Sequence, residues 1–272
     1  MLITAADGTR LHVVDWGGDG RTIVLIHAWG LNSTMWTATV PGLASRGHRV
    51  ITPDRRGHGR SDLPGAGYDL DTLAIDIGTV LEQLDLRDVV LLGHSMGGTE
   101  VARLVGGIGT DRVAAMVLSA PVTPCITQSD DNLLGMPAAM LDANRAAMAA
   151  DIGGWIAANA AGYWGRGEGD DRPLDSTWTE QTLLDTPLPV LLATNRAMTS
   201  ADVRSDLANV TCPTLVVHGD ADLSAPIDLT GRPTAALVPG AQLCVIAEAG
   251  HGLYTSYSGP YTDAIEEFVR QL

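Results

Sequence analysis

The segment ValValLeuLeuGlyHisSerMetGlyGly (89–98) constrains this chain more than any other. Its apolar run has no alternating polar face, which suits a strand buried on both sides. It passes directly into glycines around a serine, and residues 99–106 beyond them read as helix. A strand covered on both faces and followed at once by a helix belongs in a parallel sheet, because parallel neighbours need a crossover. ThrIleValLeuIleHis (22–27), ArgValIleThrPro (49–53), ValAlaAlaMetValLeuSer (113–119), ThrLeuValValHis (214–218) and LeuCysValIleAla (243–247) repeat the same kind of run.

Helical patterns lie between these runs. Leu73, Ile77, Val80, Leu81 and Leu84 follow the spacing of an amphipathic helix packed on a sheet. A last helix, Tyr261 to Leu272, places Ile265, Phe268, Val269 and Leu272 on one face. At the other end, residues 9–16 alternate as a half-buried strand and pair with Met1–Ala5 across the turn at 7–8. Alternating strands and helices predict an α/β chain with a mostly parallel, doubly wound sheet. The pattern breaks between Pro121 and Val210, where Trp155, Trp164, Trp178, several Met and a polar Gly-rich piece at 165–171 occur without a buried strand. The expected organisation is a core domain of residues 1–120 and 211–272 with a helical cap at 121–210.

Bulk properties narrow the function classes. The 272 residues suffice for one α/β domain with an insertion. There is no lysine, and the formal net charge of −15 disfavours nucleic acid or an anionic membrane as partner. Cys125, Cys212 and Cys244 form neither a disulfide framework nor a zinc-ligand spacing. No apolar stretch approaches the ~20 residues of a membrane span, and the N-terminus lacks the pattern of a signal peptide. The expectation is a soluble cytoplasmic protein, and the Ala- and Gly-rich composition suggests a bacterial source with a GC-rich genome.

GlyHisSerMetGly (93–97) sits after a strand and before a helix, the context of a nucleophile elbow that lifts Ser95 into the open. A serine nucleophile needs a base, and the base an orienting acid. Downstream of Ser95 the only histidines are His218, which closes a strand, and His251, in a glycine-flanked loop after the last strand. The loop position favours His251 as base, with His218 a satisfied strand-end residue. Asp220 and Asp222 compete for the acid in GlyAspAlaAsp (219–222). The segment 119–124 holds no carboxylate, so Asp222 is chosen, with Asp220 shaping the turn. An acyl-transfer oxyanion needs two N–H donors, expected from the backbone of Met96 and of Trp29 in HisAlaTrpGly (27–30). AspArgArgGlyHisGlyArgSer (54–61) reads as a rigid structural turn, with His58 outside the chemistry because it precedes the nucleophile.

HisAlaTrpGly, AspArgArgGlyHisGlyArgSer, GlyHisSerMetGlyGly, GlyAspAlaAspLeuSerAlaPro and the closing GlyHisGlyLeu occur in that order. Together they resemble the α/β-hydrolase superfamily, most of all its branch of bacterial aryl esterases and cofactor-free haloperoxidases (perhydrolases). The likeness covers residues 1–120 and 211–272. It implies an α/β-hydrolase fold with Ser95, Asp222 and His251 as triad and Trp29 and Met96 as oxyanion donors. It implies no cofactor and no metal, since peracid made on the triad is what oxidises halide in that branch. One departure is Ala28, where glycine is commoner; an alanine fits there if its φ is negative.

The leading expectation is a serine esterase for small to medium apolar substrates, with Trp155, Trp164 and Leu253 lining the pocket. Met136, Met140, Met148 and Met198 would soften that pocket or pack as helix core. Lactonase, perhydrolase and C–C hydrolase chemistry share the triad. A carboxylate nucleophile, as in haloalkane dehalogenases, is excluded by Ser95. A cofactor-free dioxygenase would retain activity without Ser95, and a non-catalytic relative would bind a small hydrophobic ligand. The partner expected is a small-molecule ester or lactone, with association into a homo-oligomer left open.

Overall fold

In the computed structural model, which describes residues 1–165 and 173–272, eight strands form one sheet. They are β1 (Leu2–Thr4), β2 (Arg10–Asp15), β3 (Thr22–Ile26), β4 (Arg49–Pro53), β5 (Val89–His94), β6 (Val113–Ser119), β7 (Thr214–Gly219) and β8 (Gln242–Ile246). In space they run β1-β2-β4-β3-β5-β6-β7-β8. β1 and β2 pair antiparallel as the N-terminal hairpin, β2 joins β4 antiparallel, and every later pair is parallel. Most of the continuous apolar runs are inner strands, each position of β5 and of β7 being buried, whereas the run at 243–247 forms β8 at the sheet edge and is only partly buried.

The helices are α1 (Thr39–Ala44), α2 (Leu70–Gln83), α3 (Met96–Ala102), α4 (Ala138–Ala150), α5 (Ile152–Trp164), α6 (Pro173–Leu184), α7 (Leu188–Thr199), α8 (Arg204–Ala208), α9 (Gly231–Leu237), α10 (Leu253–Ser256) and α11 (Ser258–Val269). Asp69 caps α2 by accepting from the Thr72 N–H. The two-residue period of the strands splits the core between the faces of the sheet. Val24, Ile26, Leu91 and Leu118 pack with Ala74, Ile77 and Leu81 of α2 on one side. Ile23, Leu25, Leu92 and Val117 pack with Trp36, Leu43, Tyr261 and Phe268 on the other. The last helix lies three residues earlier than the sequence pattern suggests: it runs from Ser258 to Val269, and Leu272 lies exposed beyond it.

Between β6 and β7 the described residues hold α4 to α8 and only isolated bridges, such as Cys125 to Asp202. The Gly-rich piece read at 165–171 falls, from 166 on, outside the described residues. Met148 is packed core, whereas Met136 and Met140 lie exposed outside it. No helix among the described residues is long and apolar enough to cross a membrane.

The topology places the chemistry. From β3 the chain moves outward to β4, whereas from β5 it moves the other way to β6. The loops after β3 and β5 therefore separate, and in such sheets the crevice beyond the carboxyl ends at that switch point is where ligands bind. Register aligns those ends: Ile26 faces Gly93, His94 faces Ser119, Ser119 faces Val217 and Gly219 faces Ile246.

Candidate active site

Ser95 follows the last residue of β5 and caps α3, with φ 56° and ψ −119°. A side chain at that φ is strained by about 1–3 kcal/mol, and it persists because its surroundings leave no alternative. The Ser95 N–H donates to Ser119 O at 2.9 Å, and its carbonyl accepts from the Gly98 N–H at 2.9 Å. Both elbow glycines are obligatory. A Cβ on Gly93 would lie 2.2 Å from the Gly97 carbonyl oxygen, and one on Gly97 would lie 2.5 Å from that of Ile26.

His251 lies in the loop between β8 and α10 and is only 4% exposed. Its Nδ1 lies 2.7 Å from Asp222 Oδ2, leaving Nε2 without a hydrogen-bond partner among the described residues. Asp222 is fully tethered: Oδ1 accepts from the N–H groups of Ser224 and Ala225 at 2.9 and 2.8 Å. Burial alone would raise its pKa, but the charge of a protonated His251 and the donors around the carboxylate hold it well below the usual range. Asp220 instead accepts from the Glu248 N–H at 2.6 Å, bracing the loop after β7 against the histidine loop.

Ser95 and His251 are brought to the same crevice through His94. That ring is fully buried and packs 4.9 Å from the His251 ring, and its Nδ1 lies 2.8 Å from Ser119 Oγ. Burial, and then the His251 charge, push its pKa well down, so it stands neutral beside His251. On the other side Tyr163 of α5 stacks edge-on at 5.1 Å and shares a 3.0 Å hydroxyl contact with Tyr254. No hydrogen bond to the Ser95 hydroxyl forms among the described residues; in unliganded sites such bonds are often long and tighten on binding.

Trp29 and Met96 flank the elbow from the loop after β3 and the first turn of α3. Among the described residues, neither backbone N–H donates to another group in the turns and loops. Trp29 is held by its indole, which donates to Leu191 O at 3.0 Å and stacks edge-on against Trp155 at 5.7 Å. Trp155 thus packs against the loop after β3. Trp164 is wedged at the junction between α5 and the histidine loop, and Leu253 is fully buried in the core. Ala28 is absent from the residues with positive φ and is 3% exposed, so the alanine fits.

The turn after β4 carries a pairing that the sequence reading left out. Arg55 donates to Glu100 Oε1 at 2.5 Å and Oε2 at 2.8 Å, to His27 O at 2.7 Å and to Ala28 O at 3.2 Å. One guanidinium therefore ties the loop after β3 to the helix after Ser95. The signal was present as a lone carboxylate in an otherwise apolar or small-residue helix, MetGlyGlyThrGluValAla. His58 is buried 5.3 Å from the His27 ring in that same structural turn.

A family model for the alpha/beta hydrolase fold matches residues 21–255. A non-heme chloroperoxidase of Kitasatospora aureofaciens is 37% identical over 93% of this chain and 92% of its own length. A bifunctional esterase/perhydrolase of Acinetobacter calcoaceticus is 30% identical over 98% of this chain and 99% of its own. An esterase from Exiguobacterium antarcticum superposes with a TM-score of 0.92 at 30% identity, covering 99% of this chain and 98% of that one.

Proposed function

This chain belongs to the α/β-hydrolase family, and from that premise we propose that it is a serine hydrolase cleaving carboxylic esters of small to medium apolar substrates. The observation that carries the reading is the buried 2.7 Å pair of Asp222 and His251 in the crevice beyond the strained Ser95. In this mechanism His251 Nε2 takes the Ser95 hydroxyl proton as Oγ attacks the ester carbonyl. The amides of Trp29 and Met96 receive the oxyanion, and Asp222 holds the imidazole in the Nδ1–H tautomer. Collapse expels the alcohol, which takes the proton back from His251, and leaves an acyl-enzyme on Ser95. Water, deprotonated by His251, then releases the acid.

Substrate size is assigned to the helices between β6 and β7, which serve as a cap over the core domain. Trp155 against Trp29 is the apolar wall nearest the oxyanion loop. The names of the relatives favour a second reaction at the same site. Hydrogen peroxide in place of water would open the acyl-enzyme to a peracid, which is then the oxidant for halide.

A fluorophosphonate probe followed by intact mass tests the reading. Wild type takes up one adduct, whereas Ser95→Ala and His251→Ala take up none. Absence of labelling on folded wild type overturns it. Ester turnover surviving in Ser95→Ala points instead to chemistry that bypasses the serine.

A further inference from the structure

We propose that His218 is a positioning residue for the acid of the triad, fixing Asp222 to the sheet and through it the stance of His251. The inference rests on the assignment of Ser95, Asp222 and His251 as triad.

His218 is an imidazole within a strand whose every position is buried, and it is itself 0% exposed. A polar ring placed there must find partners. Its Nε2 lies 2.8 Å from Ala225 O and 3.2 Å from Asp222 Oδ2. A carbonyl oxygen only accepts, so Nε2 carries the proton and can share it with the carboxylate. Among the described residues Nδ1 has no hydrogen-bond partner, and α9 closes against that edge: a Cβ on Gly231 would lie 2.4 Å from Nδ1. The ring therefore has one orientation.

Asp222 Oδ1 then accepts from the N–H groups of Ser224 and Ala225, while Oδ2 faces His251 Nδ1 at 2.7 Å and His218 Nε2 at 3.2 Å. Ser224 and Ala225 belong to the same loop as Asp222, and His251 to another loop. Only His218 comes from the sheet. It is the group through which a loop carboxylate is referenced to the rigid part of the molecule, and it shares the very oxygen that orients His251. Losing it loosens the carboxylate and concentrates charge on Oδ2, which favours the protonated form of His251.

The test compares His218→Leu with His218→Gln, whose amide nitrogen can occupy the place of Nε2. Besides Asp222, the titratable rings facing His251 are His94 from β5, Tyr163 from α5 and Tyr254 behind Tyr163, and both variants leave them in place. In His218→Leu, kcat on a p-nitrophenyl ester falls about 10–100-fold with KM unchanged, as expected for small misplacement of a catalytic group. The acid limb of the kcat/KM profile moves up by about half a unit. His218→Gln restores both. Fluorophosphonate labelling of wild type is run first, so that failure of the triad assignment is seen separately. With labelling intact, an unmoved acid limb overturns the proposal. So does a loss of kcat that glutamine does not restore, since that assigns His218 to strand packing alone.

Discussion

Replacing Arg55 by methionine tests whether one buried ion pair holds the loop after β3 and α3 together, the two places from which the proposed oxyanion donors come. Arg55 and Glu100 are 7% and 1% exposed, so the variant leaves a carboxylate without its cation in a dry interior. Removing one partner of such a pair costs about 3–5 kcal/mol. His27 O also loses its charged donor, adding about 1 kcal/mol. The sum is a large part of the roughly 5–15 kcal/mol that stabilises a domain, and at about 2–4 °C per kcal/mol it lowers Tm by about 10–20 °C. The loss depends on pH with a definite sign. Burial raises the Glu100 pKa, and Arg55 is the main opposing influence. Without Arg55, Glu100 takes up a proton more readily in the folded state than in the unfolded one. Its contribution is then most favourable at low pH and lost as pH rises, so the deficit of Arg55→Met is larger at pH 8 than at pH 5. Calorimetry and denaturant titration at both pH values measure this. Adding Glu100→Leu removes the stranded charge and recovers about 3 kcal/mol. It leaves kcat at least about tenfold low, because residues 27–30 are no longer tied to α3. A single variant within 1 kcal/mol of wild type, or a double variant regaining kcat with its stability, would refute the reasoning.

Three further outcomes are expected. Ser95→Gly relieves the positive φ and raises Tm by about 2–4 °C for about 1 kcal/mol, while fluorophosphonate labelling is lost; a Tm at or below wild type contradicts the strain argument. Gly97→Ala drives a Cβ to 2.5 Å from the Ile26 carbonyl oxygen, so labelling and soluble yield both fall, and wild-type labelling would show that the elbow can give way. Asp222→Asn removes a carboxylate whose folded pKa is depressed. Wild type loses that stabilisation as pH falls below the ordinary value of 3.8, and acid titration of the variant shows a shallower slope there.

What could be read from the chain beforehand divides along physical lines. The strands of the sheet were legible because fully buried parallel strands have no polar alternation to confuse, as in 89–93 and 214–218. The elbow was legible because backbone contact at Gly93 and Gly97 admits no side chain, which forces a local motif. Arg55–Glu100 spans |i−j| of 45, and nothing local in either residue names the other. His218 was read as a strand-end residue with its polar group satisfied. That is correct as far as burial goes, but the identity of its partner depends on where the loop after β7 returns. Met136 and Met140 lie exposed, Met136 just ahead of α4 and Met140 within it, because an apolar residue type alone does not say which side of the chain meets a neighbour.

The end of α5 has a consequence for how such enzymes could diversify. Gly250 and Gly252 flank His251 on either side, and both are pressed by the end of α5: a Cβ on Gly252 would lie 2.1 Å from the Trp164 ring, and one on Gly250 would lie 2.2 Å from the Trp164 carbonyl carbon. The Gly252 N–H also donates to Tyr163 O at 3.1 Å. The helices between β6 and β7 are therefore held, beyond their two chain connections, by this third anchor on the histidine loop and by Leu191 and Trp155 against Trp29. A graft that exchanges the whole insertion at its chain ends would sever the third anchor without changing a single residue of the triad. Exchanges confined to α4, α6 or the outer face of α5 would keep it. Recombination along this chain should succeed or fail according to whether it carries Tyr163, Trp164, Gly250 and Gly252 together as one inherited unit.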